Sequence, residues 1–430
     1  MVDPLPNELV DRIIDNFDFS IDKTTLLNCA LVGRAWVRAS QRGIFHTISL
    51  KIIIPPSVDT SFQLSEVIDY YVKKNHQLRA LFDGNPGLAS YVQCLELWDF
   101  SFGTVIQEVE GNALIIIPLS LKLSFSPSLE AALTRMFRAP SVTEVVLETL
   151  EIPKFADLVS LLSHLTRLKV LKIMAISCDD WSAPNTAHAT GSPLPGSIQL
   201  DKLVFNDRDF ITWFQQGSCP FGLQNLRHLQ IFPAVLNSQE AVDVLQQAGK
   251  ALTKLTLKRE SEMGDLGPGP FLHLGYTPNL KSLKLFNIFR KRLKTPHPVD
   301  SVPWMRSLFE PLLNSDQKRY PLQRLTIEIS VDGYTMSNNR YWTKWPSLDA
   351  LLSKPEFDLL ETVHIVIKCG SPSLDPGRRA REVLDEMLSF LKGSGKLKFT
   401  VRTSPIPTIY VHHIYQTYPS LLIDNGRLPP

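Results

Sequence analysis

The sequence predicts an α/β chain: a short, wholly helical start, then a long array of strand, turn and helix. In that array parallel strands stack into a curved sheet with helices on its outer side. Three observations predict it. Apolar residues recur four apart near the start, a strand-like core of L-x-x-L-x-L spacing recurs along the remainder, and stretches of helical period separate those cores. At 430 residues the chain exceeds the usual single-domain size, and with 44% hydrophobic and 20% charged residues it has apolar material for a large core.

In the first helix, spanning Pro6 to Phe17, Leu9, Ile13 and Phe17 lie four apart with Ile14 beside them, which is one apolar stripe. Pro4 and Pro6 suit its approach or first turn, where a missing N–H costs nothing. Thr24 to Leu31 follows with Leu26, Leu27, Ala30 and Leu31 apolar, and a third stretch carries Val32, Trp36 and Phe45. A helical unit of roughly 40 residues has little interior and is marginal alone. It needs a partner or a neighbouring domain to cover its apolar surface.

The strings LPNELVDRIIDNF, TTLLNCALVGRAW and IF are three linked blocks over residues 3–50. Together they resemble the F-box of the large F-box families of mushroom-forming (basidiomycete) fungi. Gly33 departs from a common pattern, in which Cys or a larger residue precedes the arginine matched here by Arg34, and it is expected to weaken the helix locally. The resemblance implies a domain at residues 1–47 that binds a Skp-type adaptor, which joins it to a cullin and a ubiquitin-loaded conjugating enzyme. By position it assigns the adaptor contact to Leu5, Pro6, Leu9, Ile13, Leu27, Leu31, Val32 and Trp36. The same residues also fit the module's own core, and spacing alone does not divide the two roles.

Beyond Ile48 the recurring cores are Val92, Leu95, Leu97; Leu121, Leu123; Val142, Val145, Leu147; Leu168, Leu171, Ile173; Leu200, Leu203, Phe205; and Leu226, Leu229, Ile231. They continue as Leu252, Leu255, Leu257; Leu280, Leu283, Leu285; Leu322, Leu325, Ile327; Leu360, Val363, Ile365; and end with Leu397 and Phe399. From Leu95 to Leu285 most steps are roughly 24 to 28 residues, inside the range of leucine-rich repeats. Leu158 to His164, Ala241 to Ala251 and Arg379 to Leu391 read as helices between them. No such unit buries both faces alone, so residues 48–430 are expected to stack as a horseshoe-shaped solenoid. The asparagine or cysteine expected after the last leucine is mostly absent, with only Asn206 and Asn287 near such positions. Most turns must then satisfy their amides in another way, as in a degenerate array. Ser177 to Ser197, Glu260 to Pro270, Phe289 to Pro303, Val331 to Pro346 and Cys369 to Gly377, rich in Pro, Gly, Ser or charge, are expected as loops.

Residues flanking the core leucines point to the opposite face. Acids come early there (Glu96, Glu144, Glu148), and bases follow: Lys172, Lys202, Lys254, Lys258, Lys284 and Arg324, with Phe232 and Phe286 between them. Two readings of this stretch stand open. It forms a site for an acidic or phosphorylated protein segment, with aromatics for contact area and lysines for orientation. Alternatively it is an ordinary solvated strand face whose lysines discourage stray pairing.

A formal net charge of +2 excludes binding to nucleic acid or membrane by bulk charge, and Arg290, Lys291, Arg292 and Lys294 read as a solvated loop. Five scattered cysteines without C-x-x-C spacing do not make a disulfide scaffold or a zinc ribbon. His412 and His413 lack partners at metal-site spacing. Gly393 to Lys396 lacks the first glycine and the hydroxyl of a phosphate loop, Gly264, Gly267 and Gly269 sit among prolines, and no G-x-S-x-G occurs. No catalytic residue, metal or cofactor is expected. The start lacks the basic and apolar runs of a signal peptide, so cytoplasm or nucleus is the expected location. The expected function is a non-catalytic substrate-recognition subunit of an SCF-type cullin-RING ubiquitin ligase, with the repeats holding a target protein. The rival is a protein-binding repeat module whose N-terminal helices only cap the solenoid.

Overall fold

The computed structural model describes residues 5–19, 21–51, 84–98, 105–109, 113–117, 137–182, 194–206, 208–216, 219–232, 239–258, 272–286, 302–313, 319–331, 342–369 and 374–403, with single positions at 73, 77, 80 and 134. Among the described residues it is α/β, with strands in parallel sheet and helices between them. The chain divides into two units, Met1–Val235 with Asp243–Leu252, and Leu236–Val242 with Thr253–Pro430.

In the first unit the stripes predicted from spacing form α1 (Asn7–Ile14), α2 (Lys23–Val32) and α3 (Arg34–Phe45). The Pro6 carbonyl opens α1 by accepting the amides of Leu9 and Val10 at 3.0 and 3.2 Å. Gly33, in extended backbone, separates α2 from α3 and so does not weaken a continuous helix. α3 packs on both other helices. A Cβ at Gly43 would stand 3.0 Å from Leu26 and 3.1 Å from Phe19, so the small residue sets how closely α3 approaches. Arg42 ties α3 to Asp15 and Asp11 of α1 at 2.7 and 3.5 Å.

α3 runs directly into β1 (Thr47–Lys51), without a linker. There follow α4 (Pro86–Ala89), β2 (Cys94–Trp98), the antiparallel pair β3 (Val105–Val109) and β4 (Ala113–Ile117), β5 (Glu144–Lys154), α5 (Phe155–Leu162) and β6 (Val170–Asp180). The unit continues with β7 (Ile198–Gln199), β8 (Lys202–Phe205), α6 (Arg208–Gln215), β9 (Phe221–Gly222) and β10 (His228–Ile231). Its main strands run parallel in the order β1, β2, β5, β6, β8, β10. The first strand was not anticipated. Phe45, Ile48 and Leu50 repeat the spacing of the later cores, and Ile48 and Leu50 pair with Leu95 and Leu97. Leu121 and Leu123 lie outside the described residues, and β2 pairs directly with β5.

A helix α7 (Gln239–Ala248) has residues in both units. The second unit contains β11 (Lys254–Lys258), β12 (Ser282–Phe286), α8 (Val302–Leu313), β13 (Arg324–Val331), α9 (Trp345–Leu352), β14 (Thr362–Cys369), α10 (Asp375–Met387), α11 (Ser389–Gly393) and β15 (Leu397–Thr403), with the strands parallel in chain order. The expected loops 260–270 and 289–300, Asn287 and the stretch from 404 onward lie outside the described residues. Residues 302 and 303, expected in a loop, instead begin α8.

The periodic leucines explain the stacking. Leu95, Val145, Leu171, Leu203 and Leu229 share one row in the first unit, and Leu255, Leu283, Leu325, Val363 and Leu397 share one in the second. All but Leu397, on the last strand, are buried. Each fully buried aliphatic side chain contributes about 1.5–3 kcal/mol. The leading leucine of each motif, such as Leu168, Leu226 or Leu280, is buried in the turn before its strand.

The turns satisfy their amides through the backbone. The carbonyl of His46 accepts the amides of Gln93 and Cys94, that of Gln93 accepts Thr143 and Glu144, and the pattern repeats at Thr143, Lys169 and Asp201. Thr253, Lys281 and Gln323 do the same in the second unit. Asn206 serves the other end of its strand, its Oδ1 accepting the Ala175 amide at 2.7 Å. Ala175 and Thr149 both have left-handed backbone, with φ of 52° and 56°, and they stand opposite each other in β6 and β5. Beyond them Leu150 and Ile176 turn inward, so both strands change phase together and the pairing survives.

α10 seats its first turn on β14 and β15: a Cβ at Gly377 would stand 2.5 Å from Cys369 Sγ and 2.6 Å from Val401. Two stability predictions follow, both read by urea denaturation. Gly377→Ala lowers stability by about 1–3 kcal/mol by overpacking this contact. Asn206→Ala lowers it by about 1–3 kcal/mol, because the Ala175 amide loses its acceptor.

Candidate functional site

Two surfaces, one in each unit, stand out as chemically unusual. The first is on the N-terminal helices. Their interior consists of Val10, Ile14, Leu26 and Ala39, with Phe17, Phe19, Cys29, Trp36 and Ile44 packed around it. On α1, Val10 and Ile14 point in, so Leu9 and Ile13, one position earlier, fall on a flank left in solvent. On α2, Leu26 points in and Leu27 and Leu31 lie on the exposed flank. Leu31 is 84% exposed, Val32 69% and Leu9 46%, and Leu5 and Pro6 are also exposed. Seven of the eight residues assigned to an adaptor contact therefore face solvent. Trp36 differs: it is partly buried against the module's core. What remains is an apolar surface on a module with four buried hydrophobic residues inside among those described, and single scattered hydrophobics do not account for it.

The second surface is the sheet face of the second unit opposite to that on which α10 packs. Register lines up Lys284, Thr326, His364 and Lys398 in one row, Glu328, Val366 and Thr400 in the next, and Ser330, Lys368 and Arg402 beyond. Glu328 is 5% exposed, and its carboxylate pairs with Lys368 Nζ at 2.8 Å. Lys284 Nζ lies 4.0 Å over the centre of the Phe286 ring. Burial lowers the Lys284 pKa, and Lys368 and Arg402 push it further the same way against the pull of Glu328. His364 Nε2 and Thr400 Oγ1 are 2.8 Å apart. Burial lowers the His364 pKa, and Arg402, Lys398 and Lys284 add to that effect. Lys398 and Arg402 are exposed, and among the described residues neither has a carboxylate in ion-pair range.

The basic residues expected to act together fall in both units. Lys172, Lys202 and Phe232 belong to the first; Lys254, Lys258, Lys284, Phe286 and Arg324 belong to the second. Lys172 Nζ is engaged by Glu144 at 2.6 Å, and Lys202 and Phe232 are half buried. Lys254 and Arg324 are exposed on the same row as Ser282. Lys368 and Arg402 lie beyond the two core positions of their motifs; the strands β13 to β15 run further, and continued alternation past Ile365 and Phe399 points to both. Lys398 lies between the core residues Leu397 and Phe399, and the same alternation that places His364 points to it.

Among the described residues no three of His, Cys, Asp and Glu gather as a metal site, and no helix is long and apolar enough to cross a membrane. None of the five cysteines is in a disulfide, and burial pushes the thiols of Cys94 and Cys219 up to about 12, far from a reactive thiolate. Buried Tyr320 is held by Thr277, its hydroxyl 2.8 Å from Thr277 Oγ1 and 2.7 Å from the Thr277 carbonyl, as a packing residue. Asp349 accepts the amides of Phe390 and Leu391 at 2.9 and 3.1 Å and so anchors the start of α11. Compared with known proteins, the chain matches no family model and no curated protein.

The field around His364 is testable. Its ring is expected to titrate below the ordinary 6.5 when followed by proton NMR. Because the folded pKa lies below the unfolded one, its share of stability is full above 6.5 and is lost as the pH falls toward the folded value. In Lys398→Gln/Arg402→Gln the midpoint moves upward. An unchanged midpoint would mean that the two cations do not act on the ring.

Proposed function

We propose that this chain is a substrate-recognition subunit of an SCF-type cullin-RING ubiquitin ligase. In this reading residues 1–47 are an F-box, and residues 48–430 are a degenerate leucine-rich-repeat domain that holds a target protein. The observation that carries the proposal is the solvent-exposed apolar flank of α1 and α2, with Leu5, Leu9, Ile13, Leu27, Leu31 and Val32, on a module with so small an interior. A Skp-type adaptor is the partner that the F-box resemblance implies for this flank. Support for the repeat domain comes from the aligned leucine rows and from the regular turn carbonyls.

The mechanism is non-covalent. The helices hold the adaptor and through it the cullin, the repeats hold the target, and ubiquitin transfer elsewhere gains from raised local concentration and orientation. The protein acts in the cytoplasm or nucleus and itself carries no catalytic group. One observation favours the rival reading, a cap without ligase assembly: α3 passes straight into β1.

Co-purification of the intact chain with a Skp-type adaptor separates the two. The matched variant is Leu9→Ala/Ile13→Ala/Leu31→Ala, which leaves Trp36 in its packed position. Association is expected for the intact chain and is expected to fall by about a hundredfold in the variant, with circular dichroism unchanged, since three partly desolvated side chains at about 1 kcal/mol or more each are removed. A folded, intact chain that fails to associate would leave the helices as a cap.

A further inference from the structure

We propose that the face of β12 to β15 opposite α10 binds an acidic, phosphoryl-bearing segment of a partner protein, through Lys284, Lys398 and Arg402 with His364 and Thr400 beside them. The rows stack these groups on one surface although they are remote in sequence. Across the sheet, Lys284 to Lys398 is three strand steps, about 14 Å. Along a strand, Lys398 to Arg402 is four residues, about 13 Å. That footprint suits a short extended peptide.

Within it the charges do not balance. Lys368 is engaged by Glu328, whose carboxylate is the single acid in the three rows, which leaves Lys284, Lys398 and Arg402 in excess. Lys284 holds its ammonium over Phe286 and sits in the field of Lys368 and Arg402, so like charges are held near one another. An anion relieves that repulsion. The hydroxyls of Thr326, Ser330 and Thr400 line the same face and add the donors that phosphoryl oxygens accept.

Edge protection is the competing explanation, since lysine on a last strand deters stray pairing. It accounts for Lys398 and Arg402 on β15 but not for Lys284 on β12, which has a neighbour on either side in its row. A nucleic acid is a poor fit. The full chain carries a formal net charge of only +2, and the face offers one ring, Phe286, already covered by Lys284. As the place where a target is held, the patch rests on the receptor reading above. As an anion site it stands without it.

The experiment is fluorescence anisotropy on the full chain, without adaptor. The probes are a short fluorescein-labelled peptide of glutamates and phosphoserines, its unphosphorylated counterpart, and a labelled oligothymidylate. The phosphopeptide is expected to bind about tenfold tighter than the counterpart, more weakly as salt rises, and to lose about tenfold or more in Lys398→Glu/Arg402→Glu. Arg379→Glu, on α10 and so on the other side of the sheet, is expected to stay within about twofold. Should the reversed variant fail to fold, Lys398→Gln/Arg402→Gln replaces it with a smaller loss in the same direction. Equal losses at Arg379, no binding by the intact chain, or tighter binding of the oligothymidylate would overturn the proposal. Adaptor association is read separately on α1 and α2, so failure of one result leaves the other standing.

Discussion

Strand register is the constraint on which the rest depends. Side chains alternate with a period of two, so a slip of one residue in any strand would turn its buried leucines to the other face. In the first unit such a slip in β6 would expel Leu171 and Ile173 together, at a cost of several kcal/mol. The turn carbonyls guard against it. Each accepts two successive amides from the start of the next strand, so the frame of one strand sets the frame of its neighbour. Where the frame does change, at Thr149 and Ala175, it changes in both strands at the same rung. Asn206 then fastens the freed Ala175 amide.

A fixed frame on the buried face also fixes the opposite one. Residues that alternate with the leucines fall into rows, and the chemistry of a row is decided by strands far apart in sequence. In the second unit this sets Lys284 level with His364 and Lys398, while Glu328 and Lys368 meet diagonally. An isolated surface ion pair would contribute little. Here Glu328 is almost wholly buried, and its partner is fixed by the same sheet, so the pair orders the patch around it. In the first unit the same logic gives the opposite balance, since Lys172 is neutralised by Glu144.

The leucine rows were legible because burial enforces their period: Leu200, Leu203 and Phe205, or Leu280, Leu283 and Leu285, announce turn and strand in six residues. Their neighbours were less so. That β2 adjoins β5 across a long intervening stretch could not be read from the period, because local spacing does not say which strands adjoin. Phe45 was read as the end of a helical module, although it also stands where the leading leucine of β1 belongs, and a residue with two uses is read as one. Lys368 and Arg402 escaped because they lie beyond the two core positions that define the motif, and Lys398, between Leu397 and Phe399, because that strand was read only for its buried residues. For the helices, apolar spacing identified the stripes but not their inner and outer edges. Val10 and Leu26 point in while Leu9 and Leu27 point out, a difference of one position that only packing decides.

That one-position difference bears on what the helices are for. A terminal cap on a stacked array has to cover an apolar end and present a polar outer face, since otherwise the exposed end is replaced by another. α3 meets the first requirement, reaching β1 without a linker and packing against it. α1 and α2 do not meet the second. Their outer flanks carry Leu9, Ile13, Leu27 and Leu31, where a pure cap would carry Lys or Glu, and the stripe is continued by Leu5 and Val32 at the ends of the helices. Capping therefore accounts for α3 and for the residues turned toward it. The outer flank needs a different cause, and a protein partner that buries it supplies one without disturbing the cap.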